Sequence, residues 1–190
     1  MDSENASLRE AILALKPWPE LTDDIGLAWQ QLSEDDPNLR VSCRSSATRE
    51  DSATASFAGQ FATVLGVPGP QEVIEAVKQC WVSVWSNEAV AYRASHDIGH
   101  DEVSMAVVIQ RMVRADTSGV AFSVNPVFGN SDEVMINASW GRGETVVSGL
   151  VTPDTFLVRK SDSQITARDI SQSKNLRHIV LDDGSIEEQV

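Results

Sequence analysis

The sequence predicts a mixed α+β protein, on two observations of patterning and one of composition. Apolar residues recur at helical spacing in several segments before residue 95, and short apolar runs rich in β-branched residues dominate between residues 105 and 158. Hydrophobic residues make up 42% of the 190 residues and charged residues 23%, which is enough to bury a core. We therefore expect a mixed sheet with flanking helices, built as one domain or as two closely packed lobes.

Two helices are predicted before residue 40. Ser7-Leu8-Arg9-Glu10 has the form of a capping box, and helical apolar spacing continues from there to Lys16, after which Pro17 ends the helix. A second helix is predicted after Thr22, because two aspartates favour a helix N-terminus and residues 25–32 carry an apolar stripe.

Residues 43–60, CRSSATREDSATASFAGQ, follow a short alternating run at residues 39–41 that is typical of a strand. Arg44 is expected at the end of that strand, where its planar guanidinium suits a phosphate. The hydroxyl and backbone N–H groups that follow could wrap an anion, the hydroxyls being those of Ser45, Ser46 and Thr48. On composition alone, a solvated loop with a surface arginine is the simpler interpretation.

A strand and the best-defined helix come next. Residues 61–67 alternate loosely between apolar and polar side chains and predict a strand, which Pro68-Gly69-Pro70 ends. Residues 73–85 keep their apolar side chains on one helical face, so we expect Trp81 to lie in the core rather than to stack on a nucleobase. Asn87 is predicted to cap a shorter helix that runs to Ala94.

The histidines and cysteines each have a structural and a chemical interpretation. His96 and His100 are four residues apart, as in a helical zinc site, but Gly99 lies between them and HExxH is absent, which favours a solvated connector. Cys43 and Cys80 lie in apolar segments without CxxC spacing. We expect both cysteines to be packing residues.

The second half of the chain is predicted to consist mostly of strands. Residues 105–112 and 120–124 are apolar and β-branched with a turn between them, and should pair as neighbours. Further strands are predicted at residues 134–137, 156–158 and 179–181, with a glycine-rich turn at residues 140–144. The segment after residue 182 carries no stop signal and is expected to be cut short.

Charge and hydropathy argue against two classes of partner. The 28 acidic and 15 basic residues give a net charge of −13, which is unsuited to the phosphate backbone of nucleic acid. No apolar run is long enough to span a bilayer and no leader pattern precedes the first helix, so we expect a cytoplasmic protein. The charge does not argue against ATP, because a nucleotide needs only a local cluster of cations and donors, for which Arg44 and Arg111 are candidates.

Three strings of the sequence carry a resemblance to a known family. They are RSSATREDSATASFAGQ, AVVIQRMVRADTSGVAFSVNP and INASWGRGETVVSGLVTPDTF, in this order over about residues 41–160. Together they resemble the ATP-binding domain of the phosphoenolpyruvate synthase and pyruvate phosphate dikinase family, which includes rifampin phosphotransferases. The resemblance implies an ATP-grasp-like fold in which the nucleotide lies between two α+β lobes. Residues 1–190 are then part of one such domain, with a helical lead-in (1–40), a family-matching core (41–160) and a tail (161–190).

The resemblance also implies a set of binding residues for ATP and Mg²⁺. The arginine of the RSSA motif, here Arg44, contacts ATP phosphates in the family, and the threonine of FAGQFAT, here Thr63, lies near them. Glu144 in GRGE matches a family pattern and is expected to brace the glycine turn or to approach a metal, while the metal ligands themselves are not identified. The adenine pocket is lined, largely through backbone groups, by Gln110, Arg111, Met112 and Val113. Taken alone, Gln110 and Arg111 also fit an ordinary strand end that faces water.

The implied function is the ATP-binding portion of a dikinase-type phosphotransferase. In the family, ATP phosphate passes through a histidine of another domain to a small acceptor, pyruvate or an antibiotic hydroxyl, so the remaining domains or subunits are the expected partners. Such domains usually carry a glycine-rich segment with a phosphate-binding lysine and a Gln-x-Arg-Pro segment, and neither is found in these 190 residues. We therefore expect the isolated chain to be inactive. The alternative is a non-catalytic binding or assembly module with the same fold.

Overall fold

Helices and strands both contribute to the structure, a computed structural model that describes residues 2–34, 36–48, 61–172, 177–180 and 186–189. The chain divides into two compact units, Met1–Met112 and Val113–Val190. The predicted mixture of helix and strand is therefore confirmed, with antiparallel sheets in both units.

Four α-helices lie within the described residues of the first unit. Both α2 and α3 begin with a proline, which has no N–H to leave unpaired at a helix start. The next helix is capped by Ser86, whose Oγ accepts the N–H of Ala89 at 3.1 Å, and not by Asn87 as the sequence predicted. The bounds are α1 Asp2–Ala14, α2 Pro19–Ser33, α3 Pro70–Ser83 and α4 Asn87–Ser95, followed by a 3₁₀ turn at His100–Glu102.

As far as the chain is described, the sheet of the first unit has three antiparallel strands in the order β2-β1-β3. Its strands are β1 Val41–Ala47, β2 Thr63–Val67 and β3 Met105–Arg111. The prediction that residues 105–112 pair with residues 120–124 is wrong, because β3 pairs with β1 over seven consecutive residues. The apolar residues of β1 and β3 alternate in phase, as at the pair Cys43 and Ile109, so this pairing puts both sets on one face.

The core of the first unit lies between this sheet and α3. Cys43 and Cys80 are fully buried there, and the Sγ of Cys80 lies 3.7 Å from the carbonyl oxygen of Cys43. Side chains of α2 close the same cluster, for example Ile25. The packing role predicted for the two cysteines is confirmed. Trp81 packs against this core but remains half-buried.

The second unit contains a four-stranded antiparallel sheet in the order β4-β5-β6-β7. The strand predicted at residues 156–158 is confirmed, whereas β7 was not predicted, since every side chain in it is exposed. A two-stranded antiparallel sheet of β8 and β9 follows. The bounds are β4 Thr117–Phe122, β5 Glu133–Trp140, α5 Glu144–Val147, β6 Asp154–Arg159, β7 Ile165–Asp169, β8 Arg177–Val180 and β9 Ile186–Gln189.

Across the described residues, no helix combines the length and the hydropathy that crossing a membrane requires.

Candidate functional site

Strand β1 has buried side chains on one face and exposed ones on the other from Arg44 onward, with Ser42 the buried exception on that second face. Successive side chains of a strand point to opposite faces, and here Val41 and Cys43 are fully buried whereas Arg44 is exposed. The RSSA segment is therefore inside a strand, and not in the loop that its composition favoured. Small and apolar residues at alternate positions, rather than the hydroxyls between them, decide its conformation.

Two of the predicted binding residues are neighbours across adjacent strands. Arg44 of β1 is paired with Thr63 of β2 on one side and with Val108 of β3 on the other. The N–H of Ser45 donates to the carbonyl of Ala62 at 3.3 Å, so Arg44 and Thr63 form a non-hydrogen-bonded pair. The Cα atoms of such a pair lie about 4.5 Å apart and their side chains share one face of the sheet.

We call this side of the sheet the exposed face. It comprises exposed side chains from all three strands of the first unit, namely Arg44, Ser46, Thr63, Val108 and Gln110. Arg44 supplies a cation with a planar fork of donors, and Thr63 supplies a hydroxyl beside it. A guanidinium next to a hydroxyl donor is suited to an oxyanion such as phosphate.

Residues 45–48, the part of the segment after Arg44 that the structure describes, have their backbone groups paired rather than free to wrap an anion. Within β1, backbone groups pair alternately with β2 and β3. The N–H of Thr48 donates to the carbonyl of Ser104 at 3.0 Å, and the Thr48 hydroxyl accepts the N–H of Ser104 at 3.2 Å. The remainder of the string, residues 49–60, lies outside the described residues.

The outer edge of β3 offers backbone hydrogen-bonding groups. The N–H of Met112 donates to the carbonyl of Arg40 at 2.8 Å, so the backbone of Met112 is directed toward β1. Because this direction alternates along an antiparallel strand, the N–H and C=O of Arg111 point away from β1. Among the strands that the structure describes, β3 is an outer one. A neighbouring N–H and C=O at a strand edge match the donor and acceptor pattern of an adenine edge.

The side chains of the QRMV segment go to different places. The guanidinium of Arg111 donates to the carbonyl of Leu32 in the last turn of α2, so this side chain does not join the exposed face. The Sδ of Met112 accepts the N–H of Gly66 at 3.0 Å, which holds the half-buried thioether against β2. Val113 follows β3 and is 81% exposed. The exposed face therefore gathers Arg44, Thr63 and Gln110 from the predicted set.

Residues 1–190 match the family described as "Pyruvate phosphate dikinase, AMP/ATP-binding domain". The chain belongs to this family. It is 44% identical over 176 residues to a probable phosphoenolpyruvate synthase of Pyrococcus abyssi, covering 92% of this chain and 22% of that protein. The phosphoenolpyruvate synthase of Pyrococcus furiosus is 42% identical over the same shares of the two chains. That of Aeropyrum pernix is 50% identical over 70% of this chain and 16% of its own length. The chain thus spans about a fifth of the length of such relatives.

The described residues of this member of the pyruvate phosphate dikinase family do not group a complete set of ligands for a divalent cation. Mg²⁺ prefers carboxylate and phosphate oxygens. The exposed face carries no acidic residue, and the described part of the chain contains no cluster of three or more histidine, cysteine, aspartate or glutamate side chains placed to hold a metal.

The GRGE turn of the second unit holds a buried charge. Arg142 is 7% exposed, its Nη2 lies 3.8 Å from a carboxylate oxygen of Glu144, and neither Nη atom has a hydrogen-bond partner among the residues that the structure describes. Burial lowers the pKa of Arg142, while the negative charge of Glu144 acts to raise it. Glu144 is the first residue of α5 and contacts Arg142 within the same turn, which is compatible with the bracing role predicted for it.

One buried arginine gave no signal in the sequence. Arg93 of α4 is fully buried, its Nη1 donates to the carbonyl of Val84 at 2.7 Å and its Nε to Nδ1 of His100 at 3.1 Å. The guanidinium also lies 5.4 Å from the centre of the Trp85 ring. Burial lowers the pKa of Arg93. The connector predicted to be merely solvated is thus tied to α4 by a specific contact.

Proposed function

We propose that this chain is the ATP-binding portion of a dikinase-type phosphotransferase. The observation that carries the proposal is the pairing of Arg44 with Thr63 on the exposed face, which sets a guanidinium beside a hydroxyl. Membership of a family described as an AMP/ATP-binding domain supports it, and relatives named phosphoenolpyruvate synthase extend it. In the complete enzyme, a histidine in another region carries the phosphoryl group to a small acceptor, either pyruvate or an antibiotic hydroxyl.

The phosphates of ATP are proposed to bind at Arg44. Its fork of donors can take two phosphate oxygens at once, which fixes their orientation as well as their charge. The hydroxyl of Thr63 adds one donor from the neighbouring strand. Mg²⁺ is proposed to arrive as the complex with ATP, since the exposed face has no carboxylate to hold it.

The adenine is proposed to bind along the outer edge of β3. There the N–H and C=O of Arg111 can pair with the base, because the register directs them away from β1. Gln110 and Met112 flank this position in the chain, and the thioether of Met112 is held against β2, away from the edge. Val113, next along the chain, completes the QRMV segment.

Thermal melting with and without Mg-ATP tests this proposal. With only part of a closed nucleotide site present, we expect a dissociation constant on the order of 1 mM. ATP at about ten times that value should stabilise the native state by roughly 1.4 kcal/mol, a rise in Tm of about 3–6 °C. The Arg44→Ala and Thr63→Val variants should each reduce the rise.

A matched arginine variant makes the test specific. Arg159 is exposed in β6, and its Nη1 donates to a carboxylate oxygen of Asp162 at 2.8 Å. Arg159→Ala should leave the ATP-dependent rise in Tm unchanged. Adenosine should give a smaller rise that Arg44→Ala does not alter. Equal rises with ATP in the parent and in Arg44→Ala, or no rise in the parent, would refute nucleotide binding at this face and favour a non-catalytic module.

A further inference from the structure

The helices of the first unit enclose a cavity that the proposed nucleotide site does not use. Its volume is about 150 Å³, and it lies where the connection between α1 and α2 crosses α3. Arg44 is on the opposite face of the sheet from α3, so cavity and exposed face are separate. The side chains that define the cavity are Trp18, Leu21, Ile25, Ile74, Val77 and Trp81.

The inner wall of the cavity is fixed and the outer wall is exposed. Ile25, Ile74 and Val77 are between 5% and 8% exposed and belong to the core. Trp18 lies between the end of α1 and the start of α2 and is 56% exposed. Its ring is nearly parallel to that of Trp81, with an angle of 10° between the planes and 6.2 Å between the centroids. A ligand can therefore enter by displacing Trp18 without disturbing the core.

Two lysines line the cavity: Lys16 is exposed to solvent, and the buried ammonium of Lys78 is already compensated within the protein. Lys78 lines one side and is 7% exposed. Its Nζ donates to the carbonyl of Leu13 at 3.3 Å and to a carboxylate oxygen of Glu75 at 2.9 Å. The ammonium is therefore directed to the end of α1 and to its own helix. What the cavity offers to a ligand is chiefly apolar and aromatic surface.

We propose that this cavity is a binding site for a single uncharged aromatic ring. A cavity needs several polar groups to hold an ordered water, and apolar cavities of about this volume in other proteins stay dry and bind benzene. Two indole rings in the walls favour an aromatic ligand over an aliphatic one, because ring contacts at offset or tilted geometry add to the gain from burial. The inference is independent of the proposed nucleotide binding.

Benzene is the probe for the 190-residue chain, with Tm and tryptophan fluorescence as readouts. Two of the five tryptophans line the cavity, so their emission should change as benzene is titrated. Benzene near ten times its dissociation constant should raise Tm by about 3–6 °C. Benzoate at the same concentrations should leave both signals unchanged, because its charge cannot enter an apolar cavity without a partner. A benzoate response equal to that of benzene would overturn the assignment to an uncharged ligand.

Two variants and a control locate the response. Val77→Phe fills the cavity and should abolish the benzene-dependent rise in Tm. Trp18→Ala removes the exposed outer wall and should weaken benzene binding by about fivefold or more, and its exposure makes unfolding of this variant unexpected. Leu27→Ala changes an α2 side chain that is 59% exposed and does not line the cavity, so it should bind benzene as the parent does. No response in the parent, or an unchanged one in Trp18→Ala, would overturn the proposal even if Val77→Phe fails to fold.

Discussion

The two faces of the β2-β1-β3 sheet differ in burial and in chemistry although they alternate along the same strands. On the face toward α3, Val41 and Cys43 are fully buried in the core. On the other face, Arg44 and Thr63 are exposed and carry a cation and a hydroxyl. The side chains of β1 that face α3 therefore stabilise the fold, whereas those on the exposed face are available for contacts with a ligand. A substitution should act on stability or on binding according to the face on which its side chain lies.

The largest expected loss of stability comes from Leu39→Ala. Leu39 is 2% exposed and packs in the core just before β1. Truncation leaves a cavity among residues that cannot fully collapse, so we expect a loss of about 2–5 kcal/mol. Urea unfolding followed by circular dichroism measures it, with a fit that lets the two units unfold separately.

Val108→Ala is the comparison on the exposed face, where the side chain is 49% exposed, and it should lose less than about 1 kcal/mol. Equal losses of stability in Leu39→Ala and Val108→Ala would show that the two faces do not differ in their contribution to stability.

Alkaline pH should lower the free energy of unfolding through the buried thiol of Cys43, on the face toward α3. Burial, together with the charge of nearby Cys80, raises the pKa of Cys43 from 9.0 to about 11. The unfolded chain therefore loses this proton first, and the contribution of the neutral thiol is complete below about pH 9 and is lost as pH rises toward 11. The loss should be roughly 2–3 kcal/mol.

Urea unfolding at about pH 8 and about pH 11 compares the parent with Cys43→Ala. The variant should lose less stability between the two pH values than the parent does. Some loss should remain in the variant, because burial also raises the pKa of Cys80. If the stability of Cys43→Ala fell as steeply with pH as that of the parent, groups other than Cys43 would be the cause of the alkaline loss.

Local patterns in the sequence predicted the elements that depend on local physics. The apolar stripe of residues 73–85 predicted α3, and loose alternation after residue 61 predicted β2, both close to their observed bounds. The strings that resemble the dikinase family predicted the family, to which the chain belongs. Neither result needed knowledge of which strands are neighbours.

The features that the sequence did not predict depend on partners distant along the chain. Taken alone, the sequence of β1 resembles a hydroxyl-rich loop. Its strand conformation depends on backbone pairing with β3, which lies more than 50 residues later in the chain. The sequence around Arg111 resembles a strand end that faces water. The carbonyl that its guanidinium contacts belongs to Leu32, 79 residues away, and no local pattern indicates that contact. For the candidate site, Arg44 and Thr63 were predicted singly, and only the register shows that they are cross-strand neighbours. Their binding of ATP stays a prediction.

The smallest expected effect is a difference in stability between variants of two arginines of the same sheet, Arg111 and Arg44. Arg111→Met should lower stability by about 0.3–1 kcal/mol, because its cation and donors stabilise the carbonyl end of α2 through Leu32. Arg44→Met should change stability by less than about 0.5 kcal/mol, because the side chain is exposed on the other face. Replicate urea midpoints at low salt resolve the difference, and added salt should reduce the Arg111 effect by screening the helix dipole. A larger loss for Arg44→Met than for Arg111→Met would mean that Arg44 supports the fold, and its assignment to phosphate would then lose its physical basis.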